Sequence, residues 1–176
     1  MEVLVSLFIV SMGVLALAGL VSASSRLGKS GESRAMAVLL AGDLADRIRA
    51  NVAGAQSGAY DWRPAAYPAR VVAPAPPPRL ETSCTATLNC SPGEIAGIDL
   101  YRWRQRLAQS LPGGYGYVQY HAGSAAATPT VDVWVAWTDS SSLALGEVLP
   151  PRECPSAFGA PGTTRTPRCI FLQVAP

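Results

Sequence analysis

Residues 1–21 read MEVLVSLFIVSMGVLALAGLV, and this stretch constrains every other part of the chain. No charged residue occurs from Val3 to Val21, so the run is about as long as a bilayer-spanning helix, which needs roughly 20 residues at about 1.5 Å rise each. A single carboxylate, Glu2, stands at its start. The stretch therefore predicts a long apolar helix that begins with one acidic residue.

Three hypotheses explain this apolar helix. A cleaved signal peptide is disfavoured, because it has a basic n-region and a shorter apolar region, and no Lys or Arg precedes the apolar run here. A plain membrane anchor gives Glu2 no role. A filament-forming helix would leave the bilayer and pack against copies of itself, with Glu2 paired to a neighbouring terminal amine, because an unpaired charge in an apolar bundle is unfavourable. Small residues that permit close helix approach are Ser6, Ser11, Gly13, Ala16 and Gly19.

The overall composition argues against several functional classes. At 176 residues the chain is long enough for one small domain and an anchor, and a net charge of +2 is too low to indicate nucleic-acid binding. We find no nucleophile, phosphate-binding or metal-binding motif, and the one histidine, His121, stands outside any such pattern. We therefore expect no enzymatic activity, no cofactor, no metal and no nucleic-acid partner.

The four cysteines fall into two groups that are close in sequence, Cys84 with Cys90 and Cys154 with Cys169. Neither group has the Cys-x-x-Cys spacing that is common in zinc sites. Disulfides fit better and indicate an oxidising compartment. Four cysteines allow three connectivities, of which we favour the two local loops, Cys84–Cys90 and Cys154–Cys169.

The helical pattern continues beyond the apolar run. Residues 22–31 are rich in Ser and Gly, which favours either a linker or a weak point within one helix. The amphipathic pattern that follows has an apolar stripe at Met36, Ala37, Leu40, Ala41, Leu44, Ala45 and Ile48. Ion pairs on its polar side are predicted by the spacing of Asp43 with Arg47 and of Asp46 with Arg49. We predict one helix over residues 2–52, whose first half protrudes and whose second half packs on a globular head.

The middle of the chain combines a loop with a second helix. Residues 54–80 are rich in proline, which favours an extended loop. Aromatic residues that would anchor this loop to the head, or contact a partner, are Tyr60, Trp62 and Tyr67. Ser91 and Glu94 form a capping box for a helix that ends near Leu111. The apolar stripe of that helix is Ala96, Leu100, Trp103, Leu107 and Leu111, and its arginines, predicted to be solvated, are Arg102, Arg104 and Arg106.

Three later segments alternate in the manner of strands, at residues 115–121, 130–137 and 169–174. A long N-terminal helix, a second helix and an antiparallel meander predict an α+β fold. We divide the chain into a transmembrane or filament-core helix (1–24), the amphipathic half of the same helix (25–52) and a globular head with Pro-rich loops (53–176).

The apolar start resembles the N-terminus of mature type IV pilins. The resemblance is carried by residues 2–7, Glu-Val-Leu-Val-Ser-Leu, and by the apolar run that follows. It implies that Glu2 is the assembly glutamate, which in that family follows a short apolar tetrapeptide that opens with an N-methylated Phe. The sequence departs from the family in that the basic leader, the Gly of the cleavage site and the first residues of the mature chain are absent. Two explanations remain open: Met1 is the last residue of the tetrapeptide and the start codon is placed too late, or the chain has been trimmed. The filament-packing residues would include Val3, Leu4, Leu7, Phe8, Val10, Val14 and Leu17.

Two further segments resemble the PilV family of minor pilins. They are residues 45–51, Ala-Asp-Arg-Ile-Arg-Ala-Asn, and residues 99–114, which combine Asp99, Trp103 and a Leu-Pro-Gly-Gly turn. The resemblance implies the type IV pilin fold. It further implies a minor pilin that joins other minor pilins and pilin subunits, primes pilus assembly, lies near the filament tip with a possible tip adhesin, and supports twitching motility.

The expected location is a single pass through the inner membrane with a periplasmic head, followed by the pilus at the cell surface. Arg26, Lys29 and Arg34 follow the apolar run, and the positive-inside rule would place that end in the cytoplasm. The cysteines indicate the opposite, and we follow them. The alternative functions are a minor pseudopilin of a type II secretion system and a membrane-tethered periplasmic binding domain.

Overall fold

A computed structural model describes residues 2–74, 90–124, 128–138, 154–158 and 167–176. The helices are α1 (Glu2–Ala50), α2 (Val52–Gln56) and α3 (Pro92–Ser110), and a short 3-10 turn covers Ser156–Phe158. The strands are β1 (Tyr115–His121), β2 (Thr130–Trp137) and β3 (Arg168–Val174). The predicted α+β fold is confirmed, with a long N-terminal helix followed by a second helix and an antiparallel sheet.

The first helix runs without interruption through the Ser- and Gly-rich segment. It contains 49 residues, which corresponds to about 73 Å at 1.5 Å per residue. It ends at Ala50, close to the predicted end at about Val52, because Asn51 leaves the helical conformation. The Asn51 side chain accepts a hydrogen bond from the Gly54 amide (3.2 Å) and donates one to the Pro92 carbonyl (2.8 Å). Asn51 therefore caps α2 and ties the end of α1 to the start of α3.

The second predicted helix is present with its capping box. The Ser91 hydroxyl accepts a hydrogen bond from the Glu94 amide, and the Ser91 amide donates to the Glu94 carboxylate at 2.8 Å. The Ser91 hydroxyl also donates to this carboxylate at 2.8 Å. The hydrogen bonds from the Ser91 amide and hydroxyl hold the pKa of the Glu94 carboxyl below its usual value. After Leu111 the chain turns at Gly113, whose φ of 62° suits glycine. A Cβ on Gly114 would lie 2.0 Å from the Leu107 carbonyl oxygen, so this turn packs directly against α3.

The three strands form one antiparallel sheet in the order β1-β2-β3. The register aligns Val118 with Val133 and Val133 with Leu172, and these residues face the helices. On the opposite face, Tyr117, Trp134 and Phe171 form an aromatic row with ring centroids 5.4 and 4.9 Å apart. The α1 stripe packs against the inner face of the sheet and against α3. Its fully buried or nearly buried members are Ala37, Leu40, Ala41, Leu44, Ala45 and Ile48.

A disulfide joins Cys154 to Cys169 across 15 positions of sequence. It lies beside a small apolar cluster that contains Phe158 and Tyr67. Cys90 is also disulfide-bonded. Its predicted partner, Cys84, lies outside the described residues.

The aromatic residues of the Pro-rich loop anchor it, as one of the two interpretations predicted. Tyr60 is fully buried and Tyr67 is 7 % exposed. Trp62 pairs with Val118 of β1 through two backbone hydrogen bonds. The prediction that the α3 arginines are merely solvated is wrong for Arg104, because its guanidinium carbon lies 4.1 Å from the centroid of the Trp62 ring. Burial there lowers the pKa of Arg104.

Candidate functional site

The candidate site is the exposed apolar surface of α1. Every large hydrophobic side chain from Val3 to Val21 is between 57 % and 73 % exposed. Soluble monomers seldom leave a continuous apolar surface of this extent in water. Lipid or other protein chains must therefore cover this part of the helix in the cell.

By length and composition, α1 can cross a membrane. Its most apolar 18-residue window has a mean hydropathy of 2.6, and none of that window is buried by the head. The side chains expected to pack in a filament all lie on this exposed part of the helix; they are Val3, Leu4, Leu7, Phe8, Val10, Val14 and Leu17. At about 100° per residue they lie within about half of the helix circumference, so they form one broad apolar side.

The polar and small residues of the run fit an apolar environment. Ser6 and Ser11 donate their hydroxyl protons to the backbone carbonyls of Glu2 and Phe8, both at 2.8 Å. These hydroxyls therefore need no external partner when the helix enters lipid or protein. A Cβ added at Gly13 would meet no atom within 4 Å, so the backbone is accessible there to a second helix.

Glu2 occupies the first turn of α1 and is exposed. A carboxylate at this position interacts favourably with the positive end of the helix dipole. The expected pairing of Glu2 with the terminal amine of another subunit involves a second chain and remains a prediction.

The other half of α1 is fastened to the head by a buried hydrogen bond. Trp103 is fully buried, and its indole Nε1 donates to the Leu40 carbonyl oxygen at 2.9 Å. A Cβ on Gly116 of β1 would lie 2.4 Å from the Trp103 ring, so glycine lets the strand pass directly over the indole. Trp103, which lies on α3, therefore contacts both α1 and the sheet.

An ion cluster provides the second attachment. Arg47 contacts Asp43 on its own helix at 3.1 Å and Asp99 of α3 at 2.9 Å. The Tyr60 hydroxyl donates to the other Asp99 oxygen at 2.8 Å. The hydrogen bonds that Arg47 donates to Asp43 and Asp99 raise the pKa of Arg47, and burial raises the pKa of Tyr60. Arg47 therefore stays charged and Tyr60 stays neutral at physiological pH.

The sequence alone did not reveal how this cluster is assembled. The Asp43–Arg47 pair followed from helical spacing, whereas Asp99 lies 52 positions from Arg47 and becomes its partner only when α1 meets α3. Arg106 also contacts Asp43 at 3.2 Å, and its side chain is exposed, as predicted. The Asp46–Arg49 pair is present at 3.2 Å on the exposed side of α1.

We expect Asp99→Asn to lower the free energy of unfolding of the head by about 2 kcal/mol, because it removes a largely buried charge from Arg47 and weakens the bond to Tyr60. The matched control is Asp46→Asn, since the Asp46 side chain is 81 % exposed. An exposed pair of that kind contributes about 0–0.5 kcal/mol. Urea unfolding of the full chain in detergent, followed by tryptophan fluorescence, measures both. Equal losses in the two variants would contradict the structural role of the cluster.

Other candidate positions bring little chemistry together. His121 lies at the end of β1 with its Nε2 3.0 Å from Asp132, on the exposed face of the sheet. Among the residues that the structure describes, no group of three or more His, Cys, Asp or Glu side chains is arranged to hold a metal ion.

Comparison with known families adds an independent observation. A family model described as Tt1218-like, Type IV pilin Tt1218, matches residues 24–101. The match supports a type IV pilin. It covers the amphipathic half of α1 and the first half of α3, including Arg47 and Asp99, and it begins after the apolar run. No curated protein and no solved structure matches the chain.

The architecture is consistent with a type IV pilin fold, since a long N-terminal helix packs by its second half on a small head with an antiparallel sheet. A type IV pilin is a structural subunit rather than an enzyme. The match therefore supports a general role in pilus assembly through contacts with other pilins, and a chain that is anchored in a membrane before it enters the pilus.

Proposed function

We propose that this chain is a minor pilin of the PilV kind, which takes part in the priming or tip complex of a type IV pilus. The observation that carries the proposal is the exposed apolar half of α1, which continues without a break into the half that is fastened to the head. A subunit of this form presents one surface for lipid or filament packing and a separate folded head for contacts with other minor pilins.

Before assembly, the chain spans the inner membrane once with its head in the periplasm. The hydropathy and exposure of the apolar run support the membrane location. The Cys154–Cys169 disulfide supports the periplasmic location of the head, because such bonds persist in oxidising compartments.

On assembly, residues 3–21 exchange lipid for the helices of neighbouring subunits. The apolar side chains of residues 3–21 stay out of water during this exchange, because lipid chains and helix side chains are similarly apolar. Close packing at Gly13 and Gly19, and pairing of Glu2 with a neighbouring terminal amine, make the filament the preferred location.

The specific assignment to a minor pilin is supported by residues 45–51 and 99–114. Their resemblance to the PilV family includes Arg47, Asn51, Asp99 and Trp103, which in this chain form the attachment between α1 and the head. In the proposed complex, this attachment holds the head on α1 for contacts with other minor pilins.

The test is a deletion strain complemented with the wild-type gene. We expect the deletion to reduce surface piliation and twitching strongly, secretion of exoproteins to remain normal, and complementation to restore piliation. Normal piliation with lost secretion would replace this proposal by a minor pseudopilin of a type II secretion system. Normal piliation and normal secretion would leave a membrane-tethered periplasmic binding domain.

A further inference from the structure

Three cations follow the apolar run, and the proposed function gives them no role. They are Arg26, Lys29 and Arg34, and the positive-inside rule disfavours them on the periplasmic side of a bilayer. Glu32 is the one acidic residue in the sequence from 22 to 36, so three cations and one carboxylate leave this segment with a net charge of +2. A positive segment beside a membrane attracts anionic lipid headgroups.

The position of these cations along α1 places them at the membrane surface. The uncharged segment from Val3 to Ser25 has 23 residues and is about 35 Å long. A bilayer has a hydrocarbon core of about 30 Å, with a headgroup layer of about 5–7 Å on each side. Lys29 follows Ser25 by four positions, which is about 6 Å. Because helix side chains tilt toward the helix N-terminus, the Lys29 ammonium lies at headgroup level when the uncharged segment spans the core.

Lys29 lines a recess between α1 and the head. The recess has a volume of about 280 Å³, and Ser33 and Glu32 lie with Lys29 on its helix side. Its head side is formed by Ser110, the last residue of α3, and by Thr138, which follows β2. These head residues lie beside the part of the packed half of α1 that is nearest to the apolar run. The recess is therefore at the end of the head that faces the membrane.

The recess presents donors that suit a phosphate and its hydroxyl substituents. Among the residues that the structure describes, the Lys29 ammonium and the hydroxyls of Ser33 and Ser110 have no polar partner. The Thr138 hydroxyl is already engaged, since it donates to the Pro112 carbonyl at 2.9 Å. The Glu32 carboxylate opposes an anion here, but the three cations of the segment exceed its single charge.

We propose that this recess binds the headgroup of an anionic phospholipid from the periplasmic leaflet of the inner membrane; this rests on the membrane stage of the proposed function and names a ligand for it. The phosphate accepts hydrogen bonds from the Lys29 ammonium, and headgroup hydroxyls bind Ser33 and Ser110. The acyl chains lie along the exposed apolar side chains of residues 3–21. Phosphatidylglycerol, which combines a negative phosphate with a glycerol headgroup, has this chemistry.

The first experiment measures which lipid the full-length chain retains. The chain in detergent is mixed with equal amounts of phosphatidylglycerol and phosphatidylcholine, and bound lipid is counted by native mass spectrometry. We expect a preference for phosphatidylglycerol of at least about fivefold, which is the contribution of one cation near a charged lipid surface. Lys29→Gln should remove most of this preference.

The matched control is Arg49→Gln, which removes one positive charge from the same helix. Arg49 is exposed and lies 20 positions beyond Lys29, about 30 Å farther from the membrane. We expect its lipid preference to equal that of the wild type. Equal retention of the two lipids by the wild type, or an unchanged preference in Lys29→Gln, would overturn the proposal.

The second experiment distinguishes a defined site from general attraction to a charged surface. Ser110→Leu fills the recess without changing any charge, and Gln109→Leu makes the same change at the adjacent exposed position of α3. We expect Ser110→Leu to reduce the preference for phosphatidylglycerol to less than half, and Gln109→Leu to leave it unchanged. Equal preferences in the two variants would overturn the assignment to the recess.

A competition arm separates lipid from a free phosphate ester. Glycerol phosphate lacks acyl chains, so at equal concentration it should not displace phosphatidylglycerol, and displacement would overturn the lipid assignment. A chain that retains both lipids equally would overturn the inference and leave the proposed function standing. A chain that retains neither lipid would count against the inference and against the membrane stage of the proposed function.

Discussion

We expect Glu2→Ala to reduce incorporation of this chain into pili by at least about tenfold, while the head stays folded. In the proposed filament, the substitution leaves a neighbour's terminal amine unpaired among apolar helices, and an uncompensated charge in such surroundings is strongly unfavourable. The helix itself should be little affected, because the Ser6 hydroxyl binds the main-chain carbonyl of residue 2 rather than its side chain.

The matched control for this prediction is Glu32→Ala, which removes another exposed glutamate from the same helix. Immunoblots of sheared pili and of membranes separate assembly from expression, and protease resistance of the head reports on folding. We expect Glu32→Ala to assemble normally, and Glu2→Ala to accumulate in the membrane. Normal recovery of Glu2→Ala in pili would contradict the role assigned to this carboxylate.

The second large effect is expected at the attachment of α1 to the head. Trp103→Ala should lower the free energy of unfolding by about 3–5 kcal/mol, because it leaves a cavity among fully buried residues. It also removes the indole donor from the Leu40 carbonyl. Trp103→Phe retains most of the apolar volume and should lose a smaller part of this stability.

The control is Trp134→Ala, the same substitution on the outer face of the sheet. Trp134 contacts Tyr117 and Phe171 but is only partly buried, so we expect less than half the loss. Urea unfolding of full-length chains in detergent, followed by the fluorescence of the remaining tryptophans, compares the variants. Equal losses from both substitutions would show that the Trp103 contact is no more important than an outer aromatic pair.

Much of the fold was predictable because it depends on local periodicity. The stripe from Ala37 to Ile48 repeats at the helical period, and it is buried where a helix must meet a core. The capping box at Ser91 and the β2 segment carry similarly local signals, and both are present with the expected bounds. Each of these elements is specified by side chains within a few positions of one another.

The misjudged positions all depend on a distant partner. Arg104 was predicted to be solvated, but it stacks on Trp62, a loop residue whose position the α3 pattern does not contain. The end of α1 was placed at about Val52; the helix ends at Ala50, and the Asn51 side chain that follows binds the Pro92 carbonyl. In both cases the local sequence allows the side chain to be either solvated or packed. A segment that is distant in sequence provides the packing partner.

The sequence by itself determined that this chain carries an uncharged helix with one leading acid, an amphipathic continuation and an α+β head. These properties follow from the amino-acid composition and from the spacing of apolar residues along the chain. Only the tertiary structure decided that Arg47 meets Asp99, and that Val38 and Leu39 remain uncovered on α1. The physical reason is that a helix has more apolar surface than one head can cover, and the packing of the whole head selects which side stays exposed.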